Sequence, residues 1–249
     1  MAKSSKASAK VSAKSKKNEQ ALKQRLIVAG KVLVAQGQGD FTRGHISVRL
    51  PDDPTLFFMK PHSVGLDEVT LANILTIDLE GNVVAGKARR HSEVFIHSEI
   101  FKTRPDVNCV IHAHPPYSVA LSACGRPVKA YSQPGALFYG DIGVYTDTIA
   151  LIRSHAMGAG VAKALGRHRA ALLKNHGTAV VGKNIEETVV GAIMLENAAM
   201  IQMIVEAAGE AAPEFPREDI AKLKGEMSAP EQFVINFDYL ARRVTGRKK

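Results

Sequence analysis

Residues 108–118 read "NCVIHAHPPYS", an apolar run that places His112 and His114 two apart and is then stopped by Pro115-Pro116. In an extended strand, side chains alternate between the two faces, so residues i and i+2 point the same way. The stretch therefore predicts a strand that ends on two imidazoles sharing one face. Such a pair is either half of a metal site or two ordinary strand residues, and the rest of the chain decides which.

Outward from this strand, "SEVFIHSEIFKTRPD" predicts a short helix stopped by Pro105, and "YSVALSA" a helical segment. "HISVRL" and "TLFFMK" read as strands joined by a "PDDP" turn, and "ILTIDLEGNVVAG" as a hairpin turning at Glu80-Gly81-Asn82. Before them, Leu22, Leu26, Val32 and Leu33 have near-helical spacing, with Asn18 as the N-cap and Gly37 as the stop. Downstream, "TDTIALIRSHAMGAGVAKALG" predicts a helix closing at Gly166, and "AALLKNHGTAVVG" two strands around an Asn175-His176-Gly177 turn. Asn184 and Glu187 form a capping-box pair at the start of a long helix, whose Met194, Met200 and Met203 read as packing residues. "EQFVINFDYLARRV" predicts a final helix. Strands and helices mixed without regular βαβ alternation favour a central, mainly antiparallel sheet with helices on its faces.

The 249 residues, 45% of them hydrophobic, suffice for one substantial core. No uninterrupted apolar stretch reaches the roughly 20 residues of a membrane span. The net charge of +9 sits at the ends: residues 1–17 hold six lysines and no acid, and the last eight residues hold five basic groups and no acid. Taking these eleven from 33 leaves 22 basic against 24 acidic residues, so the body is not built for specific nucleic-acid binding. Residues 1–18 read as a disordered basic tail, with too few apolar side chains to offset ordering entropy. Cys109 falls in the apolar run as a small buried thiol. Two cysteines and no export signal point to a reducing cytoplasm.

A third histidine, His176, also lies where an apolar strand meets a Gly turn, which lets its ring project from a strand end. Glu93 opens a helix after a loop, so it is either a site carboxylate or a first-turn acid favoured by the helix dipole. Three imidazoles and a carboxylate are a normal ligand set for Zn²⁺ or another divalent first-row ion.

"GHISVR", "HSEVFIHSEIFKTRPDVNCVIHAHPPYSVALSA", "LLKNHGTAVVG" and "IEETVVGAIMLENAAMI" occur in an order that resembles the class II aldolase/adducin family, over roughly residues 20–210. The resemblance implies a three-layer α/β/α domain, a C4 homotetramer, and a Zn²⁺ site, with Mn²⁺ as the alternative. It implies that His112, His114 and His176 bind the metal, and that Glu93 acts as acid/base and as a possible fourth ligand. Tyr131, in "RPVKAYSQPG", is the nearest match to the tyrosine that a neighbouring subunit donates, though the spacing differs. The expected organisation is a tail at 1–18, a catalytic domain at 19–225, and a C-terminal helix with basic tail at 226–249.

Departures from the sugar-phosphate aldolases of that family concern their phosphate-holding loops. His45 stands where an Asn is usual, His91-Ser92-Glu93 replaces Ser-Ser-Glu, and "KPHSVG", with Lys60 and His62, replaces a Thr-Pro-Ser/Thr-Gly loop. Small hydroxyl and amide donors suit a phosphate, whereas His45, Lys60, His91 and Ser92 suit a carboxylate or phenolate. These four are the expected substrate-binding residues, with packing of the loops as their bland alternative. The resemblance thus implies a metal-dependent carbon–carbon lyase, a decarboxylase or an aldolase, acting on a small, non-phosphorylated hydroxylated carboxylic acid. A sugar-phosphate aldolase or epimerase, and a non-catalytic adducin-like assembly module, are the alternatives.

Overall fold

The computed structural model describes residues 13–209 and 212–246. Its elements are, in chain order, α1 (Ala13–Leu33), β1 (His45–Arg49), β2 (Leu56–Met59), β3 (Leu75–Asp78), β4 (Val83–Ala85), α2 (Val94–Thr103), β5 (Cys109–Ala113) and α3 (Pro116–Ala123). There follow α4 (Gln133–Phe138), β6 (Ile142–Tyr145), α5 (His155–Leu165), β7 (Ala170–Leu173), β8 (Gly177–Gly182), α6 (Ile185–Ala207), α7 (Arg217–Met227) and α8 (Pro230–Thr245).

The eight strands form one sheet in the order β4-β3-β2-β1-β5-β8-β7-β6. Every neighbouring pair is antiparallel except β6 and β7. Strand alternation sorts the core into two halves. Ile46 and Val48 of β1 and Cys109, Ile111 and Ala113 of β5 join α1, α3, α4, α6 and α8 on one face. Val110 of β5, Ala179 and Val181 of β8 and Phe57 and Met59 of β2 join α2 and α5 on the other. The expected three-layer architecture, helices–sheet–helices, is the observed one. His45 pairs with His112 across β1 and β5, so both rings emerge on the α2/α5 face.

Local chemistry sets the element ends. Pro116 is tolerated at the first turn of α3, where its missing N–H has no partner to lose. Asn184 caps α6 by accepting from the Glu187 amide, while Glu187 Oε2 reaches back to the amide of Lys183. α6 is long and apolar enough to cross a membrane, yet half of its apolar window is buried. It packs on α3, α4, α8 and β8 as a core helix.

Several expectations need correction. α1 begins at Ala13, so Asn18 lies within it and is not a cap. The "AKSKK" ahead of Asn18 has neither Gly nor Pro, and Ala and Lys propagate a helix. The rest of the expected tail, residues 1–12, lies outside the described residues. The helix foreseen from Thr146 starts only at His155, capped by Ser154 Oγ accepting from the Met157 amide. The boundary expected at 225 falls inside α7, and α8 buries Phe233 and Phe237 in the main core.

Candidate metal centre

Four side chains converge where the end of β5, the β7–β8 turn and the start of α2 meet. The ligand atoms of Glu93, His112, His114 and His176 all lie within 4.8 Å of one another. Asn175 takes a left-handed backbone (φ 57°) that tightens the turn, and the His176 amide donates to Leu173 O at 3.0 Å. Gly177 lets the turn approach β5, since a Cβ there would meet Ala113 O at 2.6 Å and His114 Cδ2 at 2.8 Å. Glu93 is the N-cap residue of α2, but its carboxylate makes no cap hydrogen bond. Instead Glu93 Oε1 accepts from the Ile152 amide at 2.9 Å and lies 3.5 Å from His176 Nε2. Glu93 Oε2 lies 3.9 Å from Nε2 of both His112 and His45. The Glu93 carboxylate thus faces the three imidazoles and not the first turn of α2.

The donor set fits a divalent cation. The Nδ1–H of His112 donates to Thr178 O at 3.0 Å, which leaves its lone pair on Nε2. His114 Nδ1 lies 2.9 Å from Asp40 Oδ2 without hydrogen-bond alignment, and the charge of that carboxylate favours the ring proton on Nδ1 and the lone pair again on Nε2. The two Nε2 atoms are 3.1 Å apart. Facing lone pairs at that distance repel unless a cation sits between them. His176, almost buried, has no hydrogen-bond partner on either nitrogen among the described residues. Burial pushes His176 down to about 4 and His112 well below the usual imidazole range, so the rings stay neutral and ready to ligate. A tetrahedral zinc site with nitrogen bonds of about 2.0–2.1 Å has ligand–ligand edges near ~3.3 Å. The 3.1 Å and 3.5 Å separations lie close to that edge, and the 3.9 Å between His112 Nε2 and Glu93 Oε2 is longer.

The centre opens on a cleft of ≈ 660 Å³ lined by His91, Ser92, Arg43, Arg153 and Leu151 among others. His91 and Ser92 therefore stand where a substrate would meet them. Lys60 does not. It is completely buried, and its ammonium donates to Thr42 O at 2.7 Å, Val64 O at 2.5 Å and Pro61 O at 3.3 Å. Burial pushes its pKa down to about 8. Lys60 ties two loops together rather than facing a ligand. His45 is likewise fully buried, behind His91, with ring centroids 4.1 Å apart. The packing alternative fits Lys60, and His45 meets the site from behind, against Glu93, His91 and His112. Within its own chain Tyr131 lies elsewhere, its hydroxyl accepting from Lys129 Nζ at 3.0 Å beside Glu206.

Sequence reasoning missed Asp40, Thr178, Arg43 and Arg153. Asp40, in the Gly-rich "QGQGDFTRG", carried a signal: an acid held in a flexible loop just before a predicted strand. Thr178 acts through its backbone, which no side-chain pattern reveals.

The family model for the class II aldolase and adducin N-terminal domain matches residues 24–203. The chain belongs to the class II aldolase and adducin family. It is 33% identical over 209 residues to 3,4-dihydroxyphthalate decarboxylase of Arthrobacter keyseri, covering 80% of this chain and 84% of that one. It is 32% identical over 188 residues to the decarboxylase NovR of Streptomyces niveus, covering 75% and 69%. Among solved structures it is similar to the L-fuculose 1-phosphate aldolase from Glaciozyma antarctica PI12, with a TM-score of 0.84, 27% identity, and coverage of 94% and 92%. This class II aldolase family member is an enzyme, a lyase of the aldolase and decarboxylase type.

Proposed function

We propose that this lyase cleaves a carbon–carbon bond in a small hydroxylated carboxylic acid, by decarboxylation, with a divalent ion, zinc, held by His112, His114 and His176 and with Glu93 beside it as the proton donor. The observation that carries the reading is the convergence of those four side chains with uncompensated lone pairs beside an open cleft. A bound divalent ion would supply positive charge against which negative charge developing on the substrate is stabilised. The relatives named decarboxylases favour loss of CO₂ over aldol cleavage.

The chain's own groups supply the rest. Arg153 is exposed at the cleft and has no ion pair among the described residues, so it attracts the substrate's carboxylate, aided by Arg43. Pro116, Val119 and Leu151 offer an apolar wall for a ring. Burial raises the Glu93 carboxyl above its ordinary range, which suits it to hold a proton. When the carbon–carboxylate bond breaks, CO₂ leaves and the electron pair stays on carbon. Glu93 then gives that carbon a proton and ends as carboxylate.

Tyr131 is remote from its own cleft, which agrees with a role in a neighbouring subunit of a homotetramer. Cys109 and Cys124, both free, agree with a cytoplasmic setting. The test is a panel of hydroxylated aromatic acids and aldol donors, with CO₂ and aldehyde release followed before and after chelation. Chelator-sensitive CO₂ release is expected. Aldehyde release from a sugar phosphate alone, or a purified protein without metal, overturns the reading.

A further inference from the structure

The face of the sheet that carries the metal set also carries a polar line that the mechanism above leaves unused. Ser47 and His45 are two apart on β1, and His97 stands one turn after Glu93 on α2. All three are fully buried. His97 Nδ1 lies 2.5 Å from Ser47 Oγ, and His97 Nε2 lies 2.6 Å from His45 Nδ1. The line ends at His45 Nε2, which has no hydrogen-bond partner and faces Glu93 Oε2 at 3.9 Å.

A line of neutral hydrogen bonds has one of two polarities. In the first, Ser47 donates to His97 Nδ1, His97 Nε2–H donates to His45 Nδ1, and the proton of His45 sits on Nε2. In the second, His45 Nδ1–H donates to His97, and His97 Nδ1–H donates to Ser47. The second leaves the Ser47 hydroxyl proton without an acceptor among the described residues. It also turns the lone pair of His45 Nε2 toward a carboxylate oxygen. The first gives the Ser47 hydroxyl and the His97 N–H their acceptors and turns the His45 N–H, rather than a lone pair, toward a carboxylate oxygen 3.9 Å away, so it is the one the surroundings select. Burial pushes His97 down to about 3, so the ring between the other two is neutral, as either polarity requires.

We propose that Ser47 and His97 are positioning residues that lock His45 as its Nε2–H tautomer, and that this N–H orients Glu93 through Oε2. The consequence is a division of labour between two overlapping clusters. Glu93 with His45 and His91 has the make-up of a second cation site. A protonated Nε2 cannot ligate, so that trio holds no ion and the divalent site is confined to the His112, His114 and His176 side. Glu93 is then held at Oε1 by the hydrogen bond from the Ile152 amide and drawn at Oε2 by the His45 N–H 3.9 Å away. The kinetic part of this inference rests on the lyase reading; the tautomer and the metal count do not.

The experiment uses the full chain loaded with zinc and labelled with ¹⁵N-histidine. Long-range ¹H–¹⁵N spectra report the protonated nitrogen of each ring, and the His45 signals are those lost in His45→Asn. The expected pattern is His45 protonated at Nε2, with one zinc per chain by elemental analysis. His97→Leu should lower kcat by roughly two- to tenfold, the worth of one neutral hydrogen bond, with KM unchanged. His97→Gln keeps an N–H for His45 Nδ1 and should recover most of the lost kcat and the wild-type tautomer. Ser47→Ala, a milder change should His97→Leu fail to fold, should let both His45 tautomers appear. A wild-type His45 protonated at Nδ1, or two zinc ions per chain, overturns the proposal whatever the substrate is. Wild-type protein with the expected tautomer and one zinc, yet no CO₂ from any acid in the panel, counts against the lyase reading alone.

Discussion

At the scale of single residues, the site separates groups that hold a cation from a group that moves a proton. Neither ring nitrogen of His176 has a hydrogen-bond partner among the described residues, which fits the proposed cation. His176→Ala should therefore abolish stoichiometric zinc binding by elemental analysis. Glu93→Gln keeps the shape and the Ile152 contact but removes the transferable proton. It should lower kcat by about 10²- to 10⁴-fold, the usual worth of general acid–base catalysis, while some metal is retained. Equal loss of metal in both variants would make Glu93 chiefly a ligand. Lys60 was the misleading residue. Its place in a loop resembling a phosphate loop suggested an anion anchor, whereas three carbonyls take its ammonium. Lys60→Met should destabilise the fold by at least about 1.5–3 kcal/mol in denaturant titrations, because carbonyls that bonded a charged donor lose it. Unchanged stability with a raised KM would restore the anchor role.

At the scale of elements, the parts of the site that the sequence revealed are those built by strand periodicity. His112 and His114 share a face because β5 alternates, and His176 projects because it closes the β7–β8 turn immediately before β8. Both follow from patterns visible in one line of letters. β6, α4 and α7 were missed. β6 is a short edge strand with a glycine inside it, and α4 spans only six residues behind a serine cap, so neither shows enough periodicity to be seen. The late start of α5 was hidden for another reason: the Ile152 amide is taken by Glu93, a contact 59 residues away in sequence. The β7–β8 turn supports a test at this scale. Gly177→Ala places a Cβ against Ala113 O and the His114 ring, and backbone on one side cannot give way cheaply. The turn should lift off β5, with weaker zinc affinity in a competition titration and a lower Tm. Wild-type zinc affinity would mean that the turn is not what positions His176.

At the scale of the whole molecule, one sheet face is loaded with neutral imidazoles, and this ties stability to pH. His91 and His97 are pushed down to about 3 and His176 to about 4, in each case mainly by burial. Groups with depressed folded pKa values bind more protons when unfolded, so stability rises with pH through the window between them and the free value near 6.5. The metal-free protein should thus hold its Tm above about pH 6.5 and lose it steadily toward pH 4; a flat profile would show that the cluster titrates normally. The opposite face is closed by α8, which the sequence suggested as an appendage beginning near residue 226. Phe237 of α8 is fully buried in the main core, and the Arg25 guanidinium of α1 sits 4.3 Å over its ring while pairing with Asp238 at 2.7 Å. The two ends of the chain are therefore joined through one aromatic residue and one ion pair at the back of the sheet. Of these, the exposed half of the ion pair contributes little, whereas emptying the aromatic site leaves a cavity. Phe237→Ala should cost about 3–5 kcal/mol in equilibrium unfolding, and truncation after residue 225 should expose the Leu26 side of α1 and leave no cooperative transition. Zinc added to Phe237→Ala should recover part of the Tm by mass action, because the metal set lies across the sheet and remains intact. A truncated chain that still unfolds cooperatively and binds zinc would make α8 the appendage that its sequence resembles.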